Sequence, residues 1–103
     1  MPDREIPEAV VVVTEALDGT AVPRWERLIS EAMALRPRRL VVDLRHSPQA
    51  DAAGIGVLLR AHRAMISAGG QLVLRAPADR VRRVLRLARL DGVFEIEELH
   101  RQA

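Results

Sequence analysis

The chain has 103 residues, a formal net charge of +2 and no cysteine. This length allows one small domain with little room for a buried cofactor, and the absence of cysteine excludes disulfides and thiolate metal sites. Such a small net charge does not indicate a polyanionic partner. No apolar segment approaches the roughly 20 residues that a membrane span requires, and the acidic start does not look like a secretory signal. We therefore expect a cytoplasmic protein that is not embedded in a membrane.

The first half of the chain alternates strand and helix patterns. The β-branched run at residues 9–14 predicts a first strand covered on both faces. Asp18 and the residues after it end this strand, and helical spacing from Val22 to Met33 predicts a first helix with Pro23 in its first turn. Residues 40–44 form a second apolar run, which predicts a second buried strand.

The second half continues the alternation. Asp51 suits the N-cap of a second helix, which the glycines at residues 69–70 end. Residues 71–75 predict a third strand, a third helix follows Pro77, and residues 93–96 predict a short edge strand. The order β-α-β-α-β-α-β predicts an α/β fold, a single domain over residues 1–103 with a mixed, mostly parallel sheet and covering helices. An extra N-terminal strand within residues 3–8 stays open.

Several of these segments, in this order, resemble a known family. Residues 40–44 (LVVDL) and 51–59 (DAAGIGVLL) look like the central signature of STAS domains, the anti-sigma-factor antagonists and the related domains attached to sulfate transporters. Residues 69–74 resemble the family's next strand, and residues 81–94 resemble its last helix and final strand. The Leu-Asp pair at residues 17–18 matches the Leu-Asp that ends the family's second strand. This resemblance implies the fold predicted from the alternation of elements.

The resemblance also implies a function and shows where this chain departs from it. Antagonists of the family carry a serine or threonine after the aspartate, which an anti-sigma kinase phosphorylates, but here Ala52 follows Asp51 and Ala53 comes next. We therefore expect a regulatory protein-interaction domain that is not switched by phosphorylation there. The implied partner is an anti-sigma factor with a histidine-kinase-like ATPase fold, and a second copy of the chain is a further candidate. The expected partner surface consists of Asp18, Asp51, Ala52, Ala53, Gly54 and Ile55.

Two other functions stay open at this point: an accessory subunit of an ABC-type lipid transport complex, and a scaffold or sensor subunit of a larger STAS assembly. Each of the two acidic residues also has a purely structural interpretation. Asp51 would then only cap the second helix, and Asp18 would only end the first strand and turn the chain. Residues 54–56 imitate half of a dinucleotide fingerprint, but Leu59 stands where its third glycine would be.

Other chemistry finds no support in the sequence. No serine lies in a nucleophile-elbow context and the histidines lack ligand spacing, so we expect no enzyme activity, no metal and no cofactor. The third helix carries arginines on its polar side, but without stacking aromatic residues this predicts a solvated face and not a nucleic-acid site. The arginines of this face are Arg82, Arg83, Arg86 and Arg89.

Overall fold

The computed structural model describes residues 6–99. Its elements are β1 (Ile6–Val12), α1 (Val22–Ala34), β2 (Pro37–Asp43), α2 (Ala52–Ser67), β3 (Gln71–Arg75), α3 (Asp79–Leu87) and β4 (Glu95–Glu97). The predicted α/β fold and its order of elements are confirmed. The bounds of the strands differ from the prediction, since β1 and β2 both begin earlier than their apolar runs.

The four strands form one sheet in the order β1-β2-β3-β4, and each neighbouring pair is parallel. Residues 6–8 of the region suggested for an extra N-terminal strand belong to β1 itself, and residues 3–5 lie outside the described part of the chain. Over residues 6–99 the sheet is therefore entirely parallel. No helix within this range is long and apolar enough to cross a membrane.

The helices cover one face of the sheet. Parallel strands in sequential order, joined by right-handed crossovers, put all the connecting helices on the same side. Leu40 and Val42 of β2 lie level with Leu72 and Leu74 of β3, and all four belong to the buried core. The helix residues in the same core are Trp25, Ile29, Ile55, Val57, Leu58, Ala61, Met65, Val81 and Leu85. Burial of this single apolar layer is the main source of stability for such a fold.

The opposite face of the sheet has a different surface. Val41 and Val73 are fully buried there but are not part of the main core. Val10 and Val12 of β1 point to the same side and are 44% and 43% exposed. The prediction that the first strand is covered on both faces is therefore wrong, because no described helix packs on this side of β1.

Ion pairs on this open face join side chains from all four strands. Arg39 of β2 pairs with Glu8 of β1 at 3.3 Å and also with Glu97 of β4. Arg75 of β3 donates from Nε to Glu97 at 2.6 Å. Since Arg39 and Arg75 lie beside the buried valines on the same face, their aliphatic stems are well positioned to shield this apolar surface while their charged groups meet the glutamates.

One arginine on α3 is less solvated than the sequence pattern predicts. Arg82 donates from Nε to the carbonyl oxygen of Pro77 at 3.0 Å and pairs with Glu98. These contacts tie the start of α3 to the segment after β4. Arg83 and Arg86 are exposed, in agreement with a solvated face, whereas Arg89 lies beyond the end of α3.

Candidate functional site

The start of α2 is organised by the carboxylate of Asp51. Asp51 has an extended backbone, and its Oδ1 accepts a hydrogen bond from the N–H of Gly54 at 3.0 Å. Its own carbonyl oxygen accepts from the N–H of Ile55 at 2.9 Å. The predicted N-cap is confirmed, and the negative charge lies at the positive end of the helix dipole.

The same carboxylate also holds the loop that follows β1. Oδ2 of Asp51 accepts a hydrogen bond from the N–H of Gly19 at 3.0 Å. Beside it, Leu17 donates to the carbonyl oxygen of Gln49 at 2.9 Å, and its own carbonyl accepts from the N–H of Asp51 at 3.2 Å. Asp51 therefore joins two loops that are far apart in sequence. Sequence reasoning did not identify Gly19, whose contribution is a backbone N–H.

Gly54 lets the two loops approach so closely. A Cβ atom at this position would lie 2.0 Å from the carbonyl oxygen of Leu17, a distance that no real contact allows. The first turn of α2 therefore lies directly against the backbone of the β1–α1 loop. Only glycine, which has no Cβ atom, permits this approach of the two backbones.

Asp18 turns the chain into α1. Its Oδ1 accepts hydrogen bonds from the hydroxyl of Thr20 at 2.8 Å, from the N–H of Thr20 at 3.1 Å and from the N–H of Ala21 at 3.2 Å. The hydrogen bond from the Thr20 side chain, followed by that from the Ala21 N–H, lowers the pKa of Asp18 below its ordinary value. Asp18 thus has a clear structural role, and its carboxylate stays charged beside the Asp51 site.

The six predicted site residues fall into two groups. Asp51, Ala52 and Ala53 are exposed, and Asp18 is partly exposed. Gly54 and Ile55 are buried, with Ile55 only 6% exposed. Three residues of the first group lie at the start of α2, and Asp18 lies next to Gly19, whose N–H bonds Asp51.

Ser47 lies in the loop before Asp51 but is not available at this surface. It is completely buried, and its hydroxyl donates to the carbonyl oxygen of Glu15 at 2.8 Å. The carboxylate of Glu15 in turn accepts from Nε1 of Trp25 at 2.8 Å and pairs with Arg24. The loop between β2 and α2 is therefore packed onto the loop between β1 and α1 at two separate points.

The exposed side chains of the predicted site are two alanine methyl groups and the carboxylates of Asp51 and, in part, Asp18. Neither Ala52 nor Ala53 offers a nucleophile or a proton-transfer group. Among residues 6–99 no group of three or more histidine, aspartate or glutamate side chains could hold a metal ion.

Comparison with protein families identifies the type of domain. The family model described as the STAS domain matches residues 2–103. The chain belongs to the STAS domain family. A search of curated protein sequences gives no significant match to this STAS domain.

Solved structures of two antagonists have the same fold as this STAS domain. The crystal structure of a putative anti-sigma factor antagonist from Thermotoga maritima is 21% identical with a TM-score of 0.76, over 87% of this chain and 80% of that one. The anti-sigma factor antagonist SpoIIAA in its unphosphorylated form is 20% identical with a TM-score of 0.77, over 94% of this chain and 84% of that one. At these identities the likeness establishes the fold.

Proposed function

We propose that this STAS domain is a regulatory binding module of the anti-sigma-factor-antagonist type. Its partner is an anti-sigma factor with a histidine-kinase-like ATPase fold, and the contact is made by the α2-start surface, formed by Asp18, Asp51, Ala52 and Ala53. The observation that carries this proposal is the carboxylate of Asp51, which bonds both Gly54 of α2 and Gly19 of the preceding loop. A surface fixed in this way needs little ordering when a partner binds, which favours affinity.

The chemistry of the α2-start surface supports binding over catalysis. It is small, acidic at its edges and apolar at its centre, and it has no reactive side chain at the exposed positions. Gly54 and Ile55 contribute by supporting the first turn of α2 from the buried side.

Regulation at this surface does not use phosphorylation of the usual position. A methyl group at Ala52 cannot accept a phosphate, and the buried hydroxyl of Ser47 is already engaged with Glu15. Binding is therefore constitutive, as in the unphosphorylated state of a switchable antagonist, and control is exerted by expression or by competition between partners.

A charge placed at Ala52 tests the surface. Ala52→Glu keeps the helix start stable, since acids are favoured there, but adds a negative charge beside Asp51 and Asp18. We expect the dissociation constant for the kinase-type anti-sigma factor of the same cell to rise by about tenfold or more, measured by isothermal titration calorimetry.

The matched control is Ala64→Glu, an exposed alanine further along the same helix. It adds the same charge to α2 away from the α2-start surface, and we expect it to leave the dissociation constant within about twofold of the parent value. Equal weakening by both variants, or by neither, would contradict the proposed surface.

A further inference from the structure

The outer edge of β1 has no partner strand among residues 6–99, since β1 pairs with β2 alone. The N–H of Val13 donates to the carbonyl oxygen of Asp43 on the β2 side. Because backbone groups alternate in direction along a strand, the N–H and C=O groups of Val10 and Val12 point to the outer edge. Within the described part of the chain, two successive hydrogen-bonding positions are therefore open to an added strand.

The surroundings of this edge are apolar. A groove of about 550 Å³ runs between β1 and α1, lined by residues 10–12 with Trp25, Leu28, Ala32 and Leu35 and by the charged Glu31. Leu35 is 58% exposed, and Val10 and Val12 are each more than two-fifths exposed. Exposed edge strands are usually blunted by charge or proline, and β1 carries Pro7 and Glu8 near its start, whereas its later residues 10–12 are all valine.

We propose that β1 pairs in antiparallel orientation with β1 of a second copy of this chain, across a two-fold axis at Val11. In this register Val10 lies opposite Val12 of the second copy, and both are positions whose backbone groups point to the outer edge. The pairing makes one continuous sheet of eight strands from two four-stranded sheets. The exposed valines of both chains then meet on the open face. Glu8 of one chain does not lie opposite Glu8 of the other, so this register brings no like charges together there.

The charges on α1 fit the same two-fold axis. Arg24, Leu28 and Glu31 follow one another at spacings of four and three residues, so they share one face of α1. A two-fold axis reverses this stripe, which brings Arg24, already paired with Glu15 of its own chain, towards Glu31 of the second copy at both ends of the contact. A second copy thus places apolar surface against the exposed valines and opposite charges against the two ends of the stripe on α1. This complementarity favours a second copy over an unrelated strand.

The antiparallel arrangement also has a consequence for valency. The α2-start surfaces of the two copies point to opposite ends of the joined sheet, so a dimer can bind two partner molecules without a clash. This valency rests on the proposed function, whereas the pairing of β1 is independent of it.

Sedimentation equilibrium of the full-length protein tests the pairing. We expect a reversible monomer–dimer equilibrium, with the amides of Val10 and Val12 becoming protected from hydrogen exchange as the protein concentration rises. The amide of Val13 is bonded to β2 in the monomer and should be protected at every concentration. A protein that stays monomeric at high concentration would overturn the proposal. Protection of Val10 and Val12 in a monomer would also overturn it, by showing that another segment of the chain covers the edge.

The variant pair Val10→Lys with Val12→Lys places like charges opposite each other in the proposed register. These side chains are exposed in the monomer, so the fold should be retained, and we expect the dimer dissociation constant to rise by about tenfold or more. Glu31→Arg should weaken the dimer as well, since it would face Arg24. The control Leu87→Lys changes an equally apolar exposed residue, 74% accessible and located on α3, and should have no effect. A dimer that resists the lysine pair, or that Leu87→Lys weakens equally, would overturn this interface.

Discussion

The packing of the β1–α1 loop against the start of α2 depends on a single residue, Gly54, which contacts the backbone of Leu17. The carbonyl oxygen of Leu17 accepts the N–H of Asp51 and lies where a Cβ atom on residue 54 would be. The obstacle is backbone and not a flexible side chain, so relief requires a shift of the whole β1–α1 loop or of the first turn of α2. The hydrogen bond from Gly19 to Asp51 depends on the same approach.

Gly54→Ala should therefore destabilise the protein in spite of the higher helix propensity of alanine. We expect a loss of about 2–3 kcal/mol in the free energy of unfolding, the cost of overpacking a tight site, measured by urea denaturation. Gly56→Ala on the same helix is the control, since its Cβ would lie 3.3 Å from Nη1 of Arg60, the end of an exposed, flexible type of side chain and not backbone. That variant should be neutral or gain up to about 1 kcal/mol. Equal effects of the two substitutions would contradict the role given to Gly54.

Residue 52 decides whether the proposed partner can regulate this domain. Ala52→Ser should fold normally, because Ala52 is exposed and serine is small and suits a helix start. After incubation with the cognate kinase-type anti-sigma factor and ATP, intact-mass spectrometry should show one added phosphate on the serine variant and none on the parent. A phosphate brings nearly two negative charges beside Asp51, so the modified variant should release the partner. Phosphorylation of the parent protein with release of the partner would contradict constitutive binding.

At the scale of the elements, β2 and β3 carry a row of charges on the face that has no helix. Glu97 of β4 accepts from Arg75 and pairs with Arg39, so it links β4 to the two central strands. The hydrogen bond from Arg75, and then the positive charges of Arg75 and Arg39, lower the pKa of Glu97 below its ordinary value of 4.5. A carboxylate of this kind stabilises the folded state only while it is ionised.

The stability of the protein should consequently depend on pH through Glu97. Since its folded-state pKa is the lower one, the stabilisation is present above about pH 4.5 and is lost as the pH falls through the lowered value. We expect Glu97→Gln to reduce the difference in unfolding free energy between pH 6 and pH 3, measured by urea denaturation at each pH. Asp18 has a lowered pKa as well, so part of the dependence should remain. The control Asp91→Asn, in an exposed loop, should leave the difference unchanged, and an equal reduction in both variants would contradict this assignment.

The elements could be predicted from the sequence because each one has a clear apolar period and a polar or glycine end. Their bounds could not, since hydrogen bonding to neighbouring strands adds residues such as Arg38 and Arg39 to β2 whatever their polarity. The exposure of one face of β1 could not be predicted either, because a run of valines is equally compatible with a strand covered on one face and with a strand covered on both. At the site, the N-cap role of the Asp51 side chain could be predicted from the sequence. The role of Gly19 could not, because it acts through its backbone N–H, which every residue except proline has.

At the scale of the whole molecule, strand order sets a gradient of stability across the sheet. β2 and β3 are paired on both sides and contribute Leu40, Val42, Leu72 and Leu74 to the core, whereas β4 is an edge strand of three residues. The two loops of the α2-start surface follow β1 and β2, so the surface is attached to the sheet away from β4. Local opening of β4 should therefore leave the partner surface intact.

Native-state hydrogen exchange should show this gradient directly. We expect the amides of β2 and β3 to exchange slowest, at a rate that follows global unfolding, while those of β4 exchange faster through local opening. The Glu97→Gln variant, which weakens the contact of β4 with Arg75, should speed exchange in β4 and leave β2 unchanged. Exchange followed by two-dimensional NMR gives the rate of each amide, and titration with the partner under the same conditions reports on the site. If the amides of β4 proved as protected as those of β2, the sheet would open as one unit. That result, or a loss of partner binding when β4 opens, would contradict the proposal that the α2-start surface is independent of β4.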